Sequence, residues 1–178
     1  MRIISGTLKG LKFNTYKGDN TRPTTDLAKQ GIFNSLESII DFEGLEVIDL
    51  FAGTGNIGLE FLSRGAANVY SVDHHTGNIR YMNAIKKEHH LEHWHIHKQD
   101  AFTFLKSHPL KADILFADPP YDYPKMHDLV SWVLNSEWFR SGNALFVLEH
   151  VDRLVFKQKE VFLKKQYGDT AFSCFKNS

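Results

Sequence analysis

The sequence predicts an α/β protein: one domain with a mostly parallel sheet and helices on both faces, behind a short N-terminal extension. Three observations carry this. From residue 45 onward, short apolar runs alternate with helix-length amphipathic segments, the order in which right-handed βαβ units are laid down. A glycine-rich turn follows the first of those runs directly and opens a helix. A chain of 178 residues suits one domain and leaves no room for a second of useful size.

Residues 1–26 read as extended and turn-rich, punctuated by Gly6, Gly10 and Gly18. Asp26 is placed to cap a helix over 27–40, because its carboxylate can accept an orphan N–H of the first turn. Leu27, Ile32, Phe33, Leu36, Ile39 and Ile40 then fall roughly on one face. Strands follow at Glu46–Phe51, Asn68–Asp73, His95–Gln99, Ala112–Ala117 and Ala144–Glu149, with helices at 57–63, 76–89, 102–107 and 124–135. After residue 150 the pattern changes to short strand-like pieces, Leu154–Phe156 and Ala171–Phe175, read as an antiparallel edge.

Composition narrows the function classes. The chain is 42% hydrophobic and 24% charged, too apolar for intrinsic disorder. Its single cysteine, Cys174, excludes an intramolecular disulfide and a cysteine-based zinc site, and is expected as a small buried hydrophobe. The longest apolar run, Ala144–Leu148, is far short of the roughly 20 residues that span a bilayer. With no apolar stretch behind a charged start, the expected location is the cytoplasm. Zero net charge hides a gradient: residues 1–30 carry +4, residues 31–150 carry −7 and residues 151–178 carry +3. A basic fringe around an acidic middle is compatible with a polyanion approaching from the fringe, and equally with two solvated termini.

Gly53-Thr54-Gly55-Asn56-Ile57-Gly58 is a G-x-G-x-x-G, with Asp73 twenty residues beyond Gly53 at the end of the next strand. Glycines there let the backbone turn sharply and approach a ligand, and the carboxylate can accept hydrogen bonds from a ribose diol. The pattern predicts a nucleoside cofactor. Asp49, Asp73, Asp100 and Asp118 are expected to line one acidic rim at the strand ends, with no Lys or Arg inside the motifs. Such a rim repels a pyrophosphate and suits a sulfonium, which favours S-adenosylmethionine over a nicotinamide dinucleotide.

Asp118-Pro119-Pro120-Tyr121 ends the fourth strand. Two prolines remove two backbone donors and stop the strand rigidly. The lone pair of an exocyclic amine on a base is delocalised into the ring. A carboxylate and a backbone carbonyl that accept its N–H groups favour the pyramidal form that can attack a methyl carbon. Tyr121 offers a face on which a flipped base can stack.

At these residues the chain resembles the S-adenosylmethionine-dependent amino-methyltransferases, and more closely the RsmD family of 16S rRNA guanine-N2 methyltransferases. The closer likeness is carried by Met1–Gly6 with Lys9-Gly10, Arg22–Asp26, Ile32-Phe33-Asn34, Asp49–Gly58, Gly58-Leu59-Glu60, Leu62–Ala66, Asp118–Tyr121 and Tyr167–Thr170. The resemblance implies a Rossmann-like class I methyltransferase fold, three-layer α/β/α, with seven strands of which the last is antiparallel. It implies S-adenosyl-L-methionine contacts from Asp49, Phe51, Ala52, Gly53, Thr54, Gly55, Asp73, Asp100 and Ala101. The catalytic set would be Asp118, Pro119, Pro120 and Tyr121, with Arg22, Pro23, Thr24, Arg2 and Lys9 toward RNA. On this reading residues 1–26 cover the site and contact RNA, and 27–178 form the catalytic domain. The partner is 16S rRNA within a small-subunit particle or assembly intermediate, with a monomeric enzyme, no membrane and no metal. The chain departs from the family in having fewer arginines after Asp26, and Asp73 where the second strand usually ends in Glu.

Several alternatives stay open at this point. Adenine-N6 or glutamine-amide targets share the same tetrapeptide, the glycine spacing also fits a nicotinamide-dependent oxidoreductase, and an RNA-binding protein could keep the fold without catalysis. Five of the ten histidines lie in His89–His97, where His93, His95 and His97 alternate. They read as a solvated loop and edge face. Trp94, Trp132 and Trp138 read as packing residues.

Overall fold

The computed structural model describes residues 2–13, 26–108, 112–140, 144–156 and 161–176. Its strands are β1 (Glu46–Leu50), β2 (Asn68–Asp73), β3 (Trp94–Lys98), β4 (Ile114–Ala117), β5 (Leu145–Val151), β6 (Leu163–Tyr167) and β7 (Thr170–Lys176). They form a seven-stranded sheet in the order β3-β2-β1-β4-β5-β7-β6. Strands β1 to β5 are mutually parallel, and β7 runs antiparallel to both β5 and β6. The helices are α1 (Asp26–Glu37), α2 (Asn56–Ser63), α3 (Thr76–Glu88), α4 (Ala101–Ser107), α5 (Met126–Asn135) and α6 (Glu137–Arg140).

Strand alternation splits the core in two. Val47, Val69, Ile114, Phe116, Leu145 and Val147 face α1, α2 and α3, where they meet Ile32, Phe33, Leu36, Leu59, Phe61 and Met82. Ile48, Leu50, Val72, Leu115, Phe146 and Leu148 face α4, α5 and α6, among Phe104, Leu129, Val133 and Phe139. Both faces are covered, so the central strands read as near-continuous apolar runs. Among the described residues no helix is long and apolar enough to cross a membrane.

The expected strands and helices stand within a few residues, with three corrections. Leu154–Phe156 is not a strand; the edge partner of β7 is β6, whose Lys164 and Gln166 alternate outward. A strand with one solvated face carries alternating polar residues, so an apolar-run search passes over it. The one-turn helix α6 has too few residues for a periodic signal. Helix α1 ends at Glu37, and the carboxylate of Asp26 lies 3.4 Å from Arg2 Nε, an exposed pair. Cys174 is buried, as expected, and burial pushes its thiol up to about 12.

Residues 2–13 are tied to the domain through Glu60, a fully buried carboxylate on α2. It accepts from Ile4 N at 2.9 Å, Ser5 N at 3.0 Å and Arg64 Nε at 2.9 Å, and pairs with Lys29 Nζ at 3.1 Å. Lys29, also fully buried, donates to the Arg2 carbonyl at 2.6 Å and to Asn56 Oδ1 at 2.8 Å. Burial lowers the Lys29 pKa while the Glu60 charge pulls it back. Ile3 is thereby held in the core. Removing one partner of such a pair leaves an uncompensated buried charge, so Glu60→Gln should cost about 3 kcal/mol in urea unfolding. A loss below 1 kcal/mol would show that Lys29 relaxes toward water.

Candidate active site

The site is built where β1, β2, β3 and β4 end. After β1 the chain turns through Phe51 and Gly53, at φ 59° and 56°, and enters α2 from Gly55 at φ 77°. Phe51 is a non-glycine residue in the left-handed region, a conformation that costs on the order of 1 kcal/mol and persists only where its surroundings enforce it. Its ring packs edge-on against Tyr123 at 5.1 Å. The turn is fixed by Ala52 N donating to Val72 O at 3.0 Å and Gly55 N to Ala52 O at 2.8 Å.

Each glycine of the motif has a distinct spatial reason. A Cβ on Gly55 would lie 2.4 Å from Trp94 Cζ2, and one on Gly58 would lie 2.6 Å from Ser71 Oγ. Around Gly53 only the Phe51 carbonyl comes within 4.0 Å. The first two contacts bring α2 close against the sheet. The open space above Gly53 is a surface to which a ligand can come close.

Asp73 organises that surface. Its Oδ2 accepts from Gly53 N at 2.9 Å and Asn78 Nδ2 at 3.2 Å, and its Oδ1 accepts from His75 N at 2.7 Å. A carboxylate has about four acceptor positions, so one remains for a ribose hydroxyl. A second hydroxyl would take the place of the Asn78 amide. The sequence reading had no role for Asn78, although it follows Asp73 by five residues in the first turn of α3.

The four-carboxylate rim needs correction. Asp49 is buried beneath α2, where its Oδ2 accepts from Gly58 N at 3.0 Å and Ser71 Oγ at 3.2 Å. Trp94 Nε1 donates to the same Ser71 oxygen at 2.9 Å. Asp49 points to the helix side because strand alternation sends Ile48 and Leu50 to the opposite face. Burial raises its pKa to about 7, against the lowering pull of its two donors. Asp100 is exposed at the end of β3, where its Oδ1 caps α4 by accepting from Thr103 N at 3.2 Å; Ala101 beside it is buried.

Asp118 follows β4, its N–H donating to Leu50 O at 3.3 Å, so the tetrapeptide and the glycine turn leave adjacent strands. Pro119 is buried and Pro120 exposed, the Pro120 carbonyl accepting from Tyr123 N at 2.8 Å. Tyr121 is half-buried, and its hydroxyl lies 2.6 Å from Thr170 Oγ1. Ala117 pairs with Leu148, which sets Asp118 next to Glu149 at the end of β5. Glu149 is buried. The Asp118 pKa is raised well above the ordinary carboxylate range, first by burial, then by the charges of Glu149 and Asp49. Glu149 was visible in the sequence as the one charge closing an apolar strand, and that signal went unused.

The two described residues assigned to RNA lie in one folded-back segment, where Arg2 bridges Lys12, Ile3 N donates to Leu11 O at 3.1 Å and Gly10 N donates to Ile3 O at 3.0 Å. The Arg2 carbonyl meets Lys29, which also reaches Asn56 at the start of α2. Lys9 belongs to a turn packed on Ser63 at the far end of α2, where Thr7 N donates to Ser63 O at 2.7 Å. Arg22, Pro23 and Thr24 lie outside the described residues. Of the histidines, His95 stacks on Tyr70 at 4.8 Å and its Nε2 donates to Asn68 Oδ1 at 3.0 Å, while His97 packs against Phe104 and His108. Among the described residues no group of three or more His, Cys, Asp or Glu could hold a metal ion. Trp94 is fully buried.

A family model described as "Conserved hypothetical protein 95" matches residues 1–176. The chain belongs to that family, the RsmD family. YlbH of Bacillus subtilis is 32% identical over 173 residues, covering 95% of this chain and 89% of YlbH. The ribosomal RNA small subunit methyltransferase D of Haemophilus influenzae is 28% identical, covering 99% and 94%. Among solved structures, yhhF from Escherichia coli superposes with a TM-score of 0.85 at 23% identity, covering 100% and 98%. The same fold occurs in the magnesium protoporphyrin IX methyltransferase of Synechocystis with bound S-adenosylmethionine, at a TM-score of 0.65, 13% identity and coverage of 85% and 79%.

Asp49 yields a prediction. A buried acid with a raised pKa contributes stability that is fully present below its unfolded value near 3.8 and is lost as pH rises through about 7. The unfolding free energy of Asp49→Asn relative to the natural chain should therefore rise between pH 4 and 8, by on the order of 4 kcal/mol. A difference flat with pH would mean that Asp49 ionises alike in the folded and unfolded chain.

Proposed function

We propose that this enzyme transfers a methyl group from S-adenosylmethionine to the N2 amino group of a guanine in small-subunit rRNA. The observation that carries the reading is the adjacency of the glycine turn and Asp118-Pro119-Pro120-Tyr121 at the ends of hydrogen-bonded strands β1 and β4. Family membership and the rRNA methyltransferase name of the Haemophilus influenzae relative support the substrate class.

The residues present fit the cofactor. The space above Gly53 is open, Asp73 accepts from Gly53 N beside it, and the carboxylate of Asp100 follows β3 and its exposed last residue, Lys98. The two carboxylates suit a ribose and a cation, which favours S-adenosylmethionine over the nicotinamide reading. S-adenosylmethionine supplies an electrophilic methyl carbon on a sulfonium. Asp73 orients the ribose, with Phe51, Ala52, Gly53, Thr54 and Gly55 forming the floor and Asp100 and Ala101 facing adenine. Asp118 and the Pro119 carbonyl accept the N–H groups of the guanine amine, and Tyr121 stacks the base. Alignment and electrostatics in a water-poor crevice then supply most of the rate. The high proton affinity of Asp118 suits it to receive the proton that leaves the nitrogen after methylation.

The same reading makes residues 1–26 an RNA-contacting cover over a catalytic domain of residues 27–178, with Arg22, Pro23, Thr24, Arg2 and Lys9 toward the substrate. The enzyme is a cytoplasmic monomer that acts on 16S rRNA in a small-subunit particle, whose own fold presents the base. It needs no metal.

Incubation of unmodified small subunits with labelled S-adenosylmethionine, followed by nucleoside mapping, should place label in N2-methylguanosine; label in N6-methyladenosine or in protein would redirect the assignment. Asp73→Ala should weaken cofactor binding roughly tenfold or more by calorimetry, the loss of a charged hydrogen bond. Asp118→Ala should keep that affinity within a few-fold and lose methyl transfer by orders of magnitude. Equal loss of cofactor in both would overturn the division of roles. Single-turnover rates should rise with pH through a limb above the ordinary carboxylate range near 4. In Glu149→Gln, which removes a neighbouring negative charge, that limb should move to lower pH; an unmoved limb would detach it from Asp118.

A further inference from the structure

Tyr121 and Thr170, 49 residues apart in sequence, are joined by their hydroxyls at 2.6 Å. Thr170 opens β7 and pairs with Val151 on β5 and with Tyr167 on β6. The tight turn between β6 and β7 is held from both sides. Asp152 N donates to Asp169 O at 3.0 Å, and α1 comes so near that a Cβ on Gly31 would stand 2.0 Å from the Tyr167 hydroxyl oxygen. Thr170 therefore belongs to the rigid frame of the sheet.

The loop at the other end of the bond is different. Pro119 and Pro120 have no N–H to donate, and the bond from Tyr123 N to Pro120 O is internal to the loop. Phe51 packs on Tyr123, three residues beyond Pro120, while the Tyr121 side chain bonds through its hydroxyl to Thr170.

We propose that Thr170 is a positioning residue, whose hydroxyl bond to Tyr121 fixes the plane of the ring on which the target base stacks. The inference rests on the stacking role given to Tyr121 above. It also identifies the β6–β7 turn as part of the active-site wall, a role that composition and motif spacing left to the cofactor strands alone.

Thr170→Val keeps a β-branched side chain of similar volume and removes the hydroxyl. Thr170→Val and Tyr121→Phe should each lower kcat/KM for the unmodified small subunit by roughly three- to tenfold, the worth of one hydrogen bond. The double variant should lose no more than either single one, because both remove the same bond. Thr170→Ser should restore the rate, and cofactor affinity should stay unchanged throughout. Losses that multiply in the double variant, or an unaltered kcat/KM in Thr170→Val, overturn the inference while leaving the methyltransferase reading intact. Amide hydrogen exchange of Tyr121, Asp122 and Tyr123, measured without RNA, should rise alike in both single variants; unchanged exchange also overturns it. A natural enzyme that methylates no rRNA guanine overturns the reading and the stacking role together.

Discussion

The site depends on how closely α2 approaches the sheet. Gly58 has no side chain, so its N–H reaches Asp49 at 3.0 Å over a strand whose Ser71 is buried beside it. Everything at the mouth follows from that approach: the left-handed backbone at Gly53 and Gly55, the edge of Trp94 beneath Gly55, and the carboxylate of Asp73 on Gly53 N. Burying Asp49 costs solvation, seen as its raised pKa, and the two donors offset part of that cost. The carboxylate that looked like a ligand contact is the fastening under the helix that makes the contact surface.

The fold was largely legible because its strands are buried on both faces and its helices are amphipathic, so composition alone changes period at nearly every boundary. The glycine turn and its bond to Asp73 were legible because close packing and a left-handed backbone limit the residue types there. Where reading failed, the deciding quantity was three-dimensional. Asp49 and Asp73 are each a buried aspartate near a strand end, and only side-chain direction separates the one that bonds α2 from the one that bonds the glycine turn. β6 failed because Lys164 and Lys165 dominate a five-residue strand whose outward face is solvated. Glu149 and Thr170 lie far along the chain from the motif they serve, and the pairing of β5 with β4 and β7 is what brings them to it.

Two groups of buried charge sit on the α1 side of the sheet and have opposite characters. Around Asp118 the charges raising its proton affinity are carboxylates, Glu149 and Asp49. Around Glu60 the partners are cations and amides, so that carboxylate is compensated many times over. The first arrangement raises the proton affinity of Asp118 at the end of β4. The second is structural and holds residues 2–13 against α2.

Lys29 joins the N-terminal segment to the start of α2. One ammonium grips the main chain at Arg2 and the side chain of Asn56, the residue that starts the helix behind the glycine turn. A displacement of the first described residues therefore bears on the same cation that bonds the start of α2. The amino-terminal segment and the helix that follows the glycine turn thus share one buried ammonium as a common anchor.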